Sequence, residues 1–397
     1  MKTSVLIFAM AVAVGVSADS PHLGAIQRLD GSAISAAQTT ATVTRLMKAA
    51  EVPGAGLAVF NDGRLAYLNA FGVRDKANHL AMTVDTVMSA ASFTKVAFAY
   101  MTMQLVDEGL LDLDKPVVEY LAKPLPEYPN YADLEGDPRY KLITVRMLLS
   151  HTSGFPNWRS LEDDHKLHIH FDPGTRYAYS GEGIDLAQLV VETITKTPLE
   201  ELMDSRVFKP IGMTRTSMVW QERFEKDFAI GYDENGRSLG PQRRARADAA
   251  ASMLTTISDF SRFLQAILYG RGLRPKVREQ MLSAQIEILS KHEFPTLASE
   301  TTEENKGIRL SYGLGWGLFW TSYGAAFFKE GHDDGWRNYA VCFDAKKTGL
   351  VIMTNSGNGE GIYKELLETV LANTFTPIEW EGFTPYDKLP PRTPTKH

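Results

Sequence analysis

The sequence predicts an α/β (α+β) protein in which one sheet is assembled from both ends of the chain around a mostly helical insertion. Two observations carry this. Apolar runs of strand length occur early, at 56–60 and 65–71, and return late, at 313–320, 325–329, 339–343 and 350–354,. Between about residues 92 and 290 the pattern is helix and loop. Strands at the two ends with helices between them fit one layered body.

Each element has a local reason. Residues 34–50 read as an amphipathic helix with Val43, Leu46 and Met47 on one side, broken by Val52-Pro53-Gly54,. Asn61-Asp62-Gly63 between the first two apolar runs is a strong hairpin signal,. Residues 73–84 are polar and looped. A helix from Ser92 to about Glu108 ends at Gly109,. Residues 123–140 read as loop, 145–149 as a short helix and 155–175 as irregular. Helices follow at 184–195, 199–207 and 259–269, the last with Ser258 as its N-cap,. The segment 344–349 turns between the last two strands, and 361–372 is a closing helix. Residues 376–397 hold five prolines and few core residues, so a surface tail is expected.

The chain has 397 residues, 44% hydrophobic and 23% charged, enough for a sizeable core. A formal net charge of −6 argues against a nucleic-acid-binding surface. Lys2, an apolar run over 5–16 and the small residues Ser17-Ala18 read as a secretory signal peptide, residues 1–18,. The run is short for a membrane span, and no other stretch is long and apolar enough. Export to the periplasm or outside the cell is expected. The single cysteine, Cys342, excludes an intrachain disulfide, and reads as a buried strand residue.

Candidate chemistry starts at Ser89-Ala90-Ala91-Ser92-Phe93-Thr94-Lys95. On a helix beginning here, Ser92 and Lys95 share a face at the positive helix end. Serine needs a neighbouring base to become nucleophilic. Lysine is that base only when burial or nearby cations keep it neutral, and the apolar run 96–101 supplies burial. Tyr177 and Tyr179 would point the same way in an extended segment, and a phenol near a lysine can relay protons. His332, in Gly331-His332-Asp333-Asp334-Gly335-Trp336, precedes a strand whose edge N–H groups could bind an oxyanion,. Taken singly, each has a plainer reading: a chance Ser-x-x-Lys, core tyrosines, a loop histidine. His165, His168 and His170 look like a metal cluster, but no single helix or strand gathers all three, and a solvated loop is the better reading,. Arg243-Arg244-Ala245-Arg246 is a basic run expected on the surface.

In order and together, these stretches resemble the serine β-lactamase and penicillin-binding-protein superfamily, in particular its class C β-lactamase-like branch of esterases and D-amino-acid-specific peptidases. Ser92-Phe93-Thr94-Lys95 matches Ser-x-x-Lys,. Tyr179-Ser180-Gly181 stands where the family has Tyr-Ser-Asn or Tyr-Ala-Asn, and His332 with Gly335 where it has Lys-Thr-Gly or His-x-Gly. Segments 109–117, 148–154, 210–213 and 312–316 also match, so the resemblance covers about 36–374. It implies an antiparallel sheet flanked by helices with an inserted helical subdomain. The domain spans 19–374, with the sheet from about 52–72 and 311–356 and the helical part at about 92–290, before a tail at 375–397. It further implies that Ser92 attacks a carbonyl and that Lys95, with Tyr179, removes its proton. Backbone N–H groups of Ser92 and Gly335, with His332 beside them, would hold the oxyanion and substrate. No metal or organic cofactor is implied.

Three departures bear on the substrate. Gly181 lacks the Asn side chain that would bond a substrate amide. Asp333 and Asp334 would repel a substrate carboxylate. A literal Lys347-Thr348-Gly349 falls in a turn far from His332, where turn composition explains it,. The expected function is an exported serine hydrolase cleaving a small ester, amide or peptide through an acyl-enzyme on Ser92, as a carboxylesterase or D-amino-acid-specific peptidase. A β-lactamase or D,D-carboxypeptidase is the alternative enzyme. A non-catalytic binding or sensor protein is the alternative of another class. Tyr128, Trp158, Trp316, Phe319 and Trp336 could wall the acyl pocket or pack the core,.

Overall fold

The structure, a computed structural model, describes residues 25–389; the signal-peptide expectation at 1–18 lies outside the described residues. Helix α1 (Ala36–Ala49) begins on a reciprocal capping box between Ser35 and Gln38 and turns Val43, Leu46 and Met47 inward,. Strands β1 (Gly54–Asn61) and β2 (Arg64–Asp75) form the expected hairpin. Asp62 and Gly63 at its tip have φ of 49° and 73°, the left-handed backbone that a two-residue hairpin turn requires. The helical part contains α2 (Phe93–Asp107), α3 (Val145–Leu149), α4 (Gly181–Thr195) and α5 (Ile257–Tyr269). Strands β3 (Gly317–Thr321), β4 (Gly324–Asp333), β5 (Trp336–Phe343) and β6 (Thr348–Thr354) follow, then α6 (Tyr363–Leu371).

The main sheet has nine strands, in the order Ile286–Glu287, Ser311–Tyr312, β3, β4, β5, β6, β1, β2, Leu80–Ala81. All neighbours are antiparallel. The two chain ends meet where β6 pairs with β1, so the predicted mixed architecture holds. Alternate strand residues feed two cores. Val351 and Met353 face α2 and α5, whereas Leu350 and Ile352 face α1 and α6,. Coverage on both faces is why these strands read as unbroken apolar runs. Helix α2 is buried from Phe93 through Met103, as an all-round apolar helix must be. Its Phe93 ring stacks on Phe260 of α5 at 4.3 Å.

Four expectations are corrected. The run 313–320 is not one strand, because the Gly313 N–H closes a turn onto the Trp316 carbonyl between Ser311–Tyr312 and β3. The polar stretch after β2 contributes the edge strand Leu80–Ala81. Thr256, not Ser258, caps α5, its side chain accepting from the Asp259 N–H. The described part of the tail is not a surface appendage: Ile378, Trp380 and Glu381 are buried. The Trp380 ring packs against Tyr177 and Phe328, and its indole N–H donates to Ser290 Oγ at 3.2 Å. Prolines keep this segment out of sheet and helix but not out of the core. Cys342 is a free, buried β5 residue whose thiol burial pushes up. Among the described residues, no helix is long and apolar enough to cross a membrane.

Candidate active site

The start of α2 is held in an unusual backbone. Ala91 sits at φ 48°, a left-handed conformation that costs a residue with a Cβ. Its neighbours secure it. Thr94 Oγ1 donates to the Ala91 carbonyl at 2.6 Å and accepts the Met253 N–H at 3.0 Å. Asn338 of β5 donates to the carbonyls of Ser89 and Ala90. The N–H groups of Phe93, Thr94 and Lys95 turn back onto Ala90, Ala91 and Ser92, which leaves the Ser92 N–H at the open helix end.

Lys95 is completely buried one turn on. Its Nζ lies 3.1 Å from Ser92 Oγ and 2.7 Å from the Ala250 carbonyl. Desolvation, and then the cation of Lys329, bring its pKa down to about 7. A useful fraction is therefore the neutral amine that a base requires.

Tyr179 closes the third side. Its hydroxyl faces Ser92 and accepts from Lys329 Nζ at 3.3 Å. The ammonium groups of Lys95 and Lys329 lie 4.9 and 4.6 Å from its ring centre,. Burial pushes the phenol well above its usual range, so it is a proton donor here rather than a phenolate. The Tyr-x-Tyr geometry holds, with Tyr177 and Tyr179 both buried on the same side. His151, from the stretch after α3, sets this segment. Its Nδ1 accepts the Ser180 N–H at 3.2 Å and its ring lies 4.4 Å from that of Tyr179. Burial keeps that imidazole neutral.

Of the two residues expected to form the third part of the site, one is displaced. Gly335 lies at the tip of the β4–β5 hairpin, packed against the backbone of Gly231 and Tyr232, and does not line the cleft. Lys329 stands at the position expected of the third motif's cation. It is fully buried on β4, its ammonium against Tyr179 and paired with Glu330. Lys329-Glu330-Gly331 is itself a Lys-x-Gly sequence, the signal that could have found it. Strand alternation explains the placement: Phe327, Lys329 and Gly331 face α2, and a Cβ on Gly331 would lie 2.8 Å from the Ala90 carbonyl,.

His332 does line the cleft, with a half-exposed ring. Its backbone is the more informative part. Strand β3 pairs with β4 only as far as Phe328, so β4 has a free edge from Lys329 to Asp333. Asp333 and Trp336 close the hairpin as a bonded pair. The antiparallel alternation then turns the His332 N–H away from β5, onto that free edge.

The cleft encloses about 540 Å³ and is lined by Ser92, Lys95, Tyr179, Glu330 and His332, with Trp158, Phe294, Arg244 and Asp248. Of the five aromatics considered from sequence, only Trp158 lines it. Trp316, Phe319 and Trp336 are buried in the cores. The Trp158 ring lies 2.4 Å from where a Gly181 Cβ would sit, so indole occupies the space an Asn side chain would need. Arg244, expected on the surface, is half-buried and bonds Asp333 at 2.6 Å. One of the two suspect acids is thereby neutralised. Lys347 pairs with Asp344 at the opposite end of β5 and β6, so the literal Lys-Thr-Gly is remote. His168 pairs with Asp164 and His170 with Glu162, while His165 is exposed.

Fold and site together define a serine hydrolase-type scaffold, and the comparisons agree. The Beta-lactamase family profile matches residues 39–372; the chain belongs to the β-lactamase family, within the serine β-lactamase and penicillin-binding-protein superfamily. Penicillin-binding protein 4 of Amycolatopsis lactamdurans is 26% identical over 347 residues, covering 81% of this chain and 85% of that protein. Protein flp of Staphylococcus aureus is 24% identical over 343 residues, which are 81% of this chain but 63% of that protein's length. Two solved structures share the fold. The octameric penicillin-binding protein homologue from Pyrococcus abyssi has a TM-score of 0.69 at 22% identity, over 89% of this chain and 79% of that one. D-alanine carboxypeptidase AmpC from Burkholderia cenocepacia has a TM-score of 0.66 at 21% identity, over 83% and 97%.

Proposed function

We propose that this protein is an exported serine hydrolase that cleaves an ester or amide through an acyl-enzyme on Ser92. The observation that carries this is the 3.1 Å contact between Ser92 Oγ and a fully buried Lys95 amine whose pKa is about 7. In this mechanism neutral Lys95 takes the Ser92 proton as Oγ attacks the carbonyl carbon. The oxyanion forms between the N–H groups of Ser92 and His332, in place of Gly335. Tyr179, protonated and held by Lys329, gives its proton to the leaving group and regains one from Lys95. Water then hydrolyses the acyl-enzyme through the same groups in reverse.

Trp158 over Gly181 supports a carboxylesterase first and a D-amino-acid-specific peptidase next, because no side-chain amide is left there to grip an acyl amide. The names of two relatives, a penicillin-binding protein and a D-alanine carboxypeptidase, favour a β-lactamase or D,D-carboxypeptidase as the second reading. Incubation with a fluorophosphonate and with labelled penicillin, followed by peptide mass analysis, should add mass at Ser92. Ser92→Ala should abolish label and turnover while leaving thermal unfolding unchanged. No label from either probe on folded protein sinks the hydrolase reading and leaves a binding or sensor protein. Short-chain esters, D-aminoacyl amides and a chromogenic cephalosporin then rank the substrates. Export predicts a mature N-terminus at Asp19; intact protein retained inside the cell contradicts it.

A further inference from the structure

The Lys95 amine is gripped by a carbonyl from a different part of the chain, and that grip is itself built. Asp248 Oδ1 accepts the N–H groups of Ala250 at 2.7 Å and Ala251 at 3.2 Å. The Ser252 N–H returns to the Asp248 carbonyl at 3.1 Å. This tight turn aims the Ala250 carbonyl at Lys95 Nζ. Gln188 of α4 clamps the approach, its Oε1 accepting the Ala249 N–H at 2.9 Å and its Nε2 donating to the Ala247 carbonyl. One helical turn before Gln188, Asp185 lies beside Asp248, and burial, then the Asp248 charge, push its carboxyl up to about 8. Its Oδ1 is buried without a partner. Two adjacent carboxyls do not both ionise readily, and Asp185 is the member held as the neutral acid near pH 7.

We infer that Asp248 and Asp185 are a positioning pair for the base of the reaction. Asp248 builds the turn that presents the Ala250 carbonyl to Lys95 and sets its own carboxylate beside the amine, backed by the neutral acid of Asp185. The inference rests on the reading of Lys95 as the base for Ser92. Other charged and titratable groups face this centre from every side. Lys329 and Glu330 approach from β4, His151 from the end of α3 and Tyr179 from ahead of α4; Glu182 and Tyr131 lie behind Asp185. Lys329 opposes an ammonium at Lys95, while Asp248 and then Glu330 favour it most. Glu182 is already held by Arg159 at 2.6 Å. Asp248 lines the cleft and supplies the turn, which makes it the member to alter first.

The test is the second-order rate of fluorophosphonate labelling at Ser92 as a function of pH. Asp248→Asn keeps an oxygen to accept the turn N–H groups but removes the charge. Lys95 then loses its proton more readily, and the midpoint of the acidic limb should fall by about one pH unit. Asp185→Asn donates its amide to Asp248, preserves the charge and should leave the midpoint in place. Asp248→Ala, without the acceptor, should also lower the plateau rate by about tenfold or more, and Asp248→Asn should restore it. If Asp248→Ala does not fold, the two Asn variants carry the test. An Asp248→Asn midpoint equal to wild type, or an Asp185→Asn shift as large as that of Asp248→Asn, overturns the proposal while leaving Ser92 acylation intact. Wild-type protein that takes no label overturns the underlying reading instead.

Discussion

Lys329 separates the roles of the groups around Ser92. Its ammonium holds the Tyr179 hydroxyl and also repels a proton from Lys95. Lys329→Ala should therefore lower kcat/KM by about 10²–10³-fold, from the lost hold on the proton donor. It should also move the acidic limb of the rate profile to higher pH, because removing a nearby cation raises the Lys95 pKa. Lys347→Ala, at the literal Lys-Thr-Gly, should retain wild-type kinetics. Equal losses in the two variants would contradict the placement of the third motif. Ser92, Lys95 and Tyr179 were legible because a short local pattern specifies each of them. Lys329 was not, because the reading ended a strand at that residue and began the motif three positions later. A lysine at a strand end ordinarily reaches solvent; here Tyr179 and Glu330 enclose it.

At the scale of elements, the site depends on segments that close over the sheet from outside. Trp380 fills the space beside Tyr177 and Phe328, and Tyr177 sits two residues from Tyr179. Trp380→Ala should cost about 3–5 kcal/mol, the usual price of emptying a buried aromatic site, read as a fall in the unfolding midpoint. A surface tail would instead give a change within about 0.5 kcal/mol. The sequence reading missed this packing because proline content reports what backbone a segment cannot adopt, not whether its side chains are buried. Long elements with strong periodicity were legible: α1, α2 and the β1–β2 hairpin stand where the pattern put them. Two-residue strands such as Leu80–Ala81 were not, since a partner strand, not local preference, makes them.

At the scale of the molecule, Lys329 lies among more buried carboxyls than it can neutralise. Glu293 accepts from Tyr177 at 3.2 Å, and Glu381 from Tyr339 at 3.1 Å. Burial, and then neighbouring carboxylates, push both well above the ordinary glutamate range. The sign follows by linkage. As pH rises past the ordinary glutamate value, the unfolded chain releases these protons first, so stability falls until the folded groups ionise too. Glu293→Gln keeps an oxygen acceptor for Tyr177 and removes the titration. Its unfolding temperature relative to wild type should therefore be higher at about pH 8 than at about pH 5. An equal difference at both values contradicts a protonated Glu293.

The family, the mixed fold with its sheet drawn from both chain ends, and Ser92, Lys95 and Tyr179 as members of the candidate site could be read from the sequence alone. These are written in local periodicity and in short motifs whose residues act within one helical turn or one strand. The packed fold was needed to show which lysine sits against Tyr179, which N–H faces the cleft, that Trp158 fills the space above Gly181, and that Arg244 pairs with Asp333. Each of these joins residues far apart in the chain. Their meeting depends on strand register and burial, which no local pattern records.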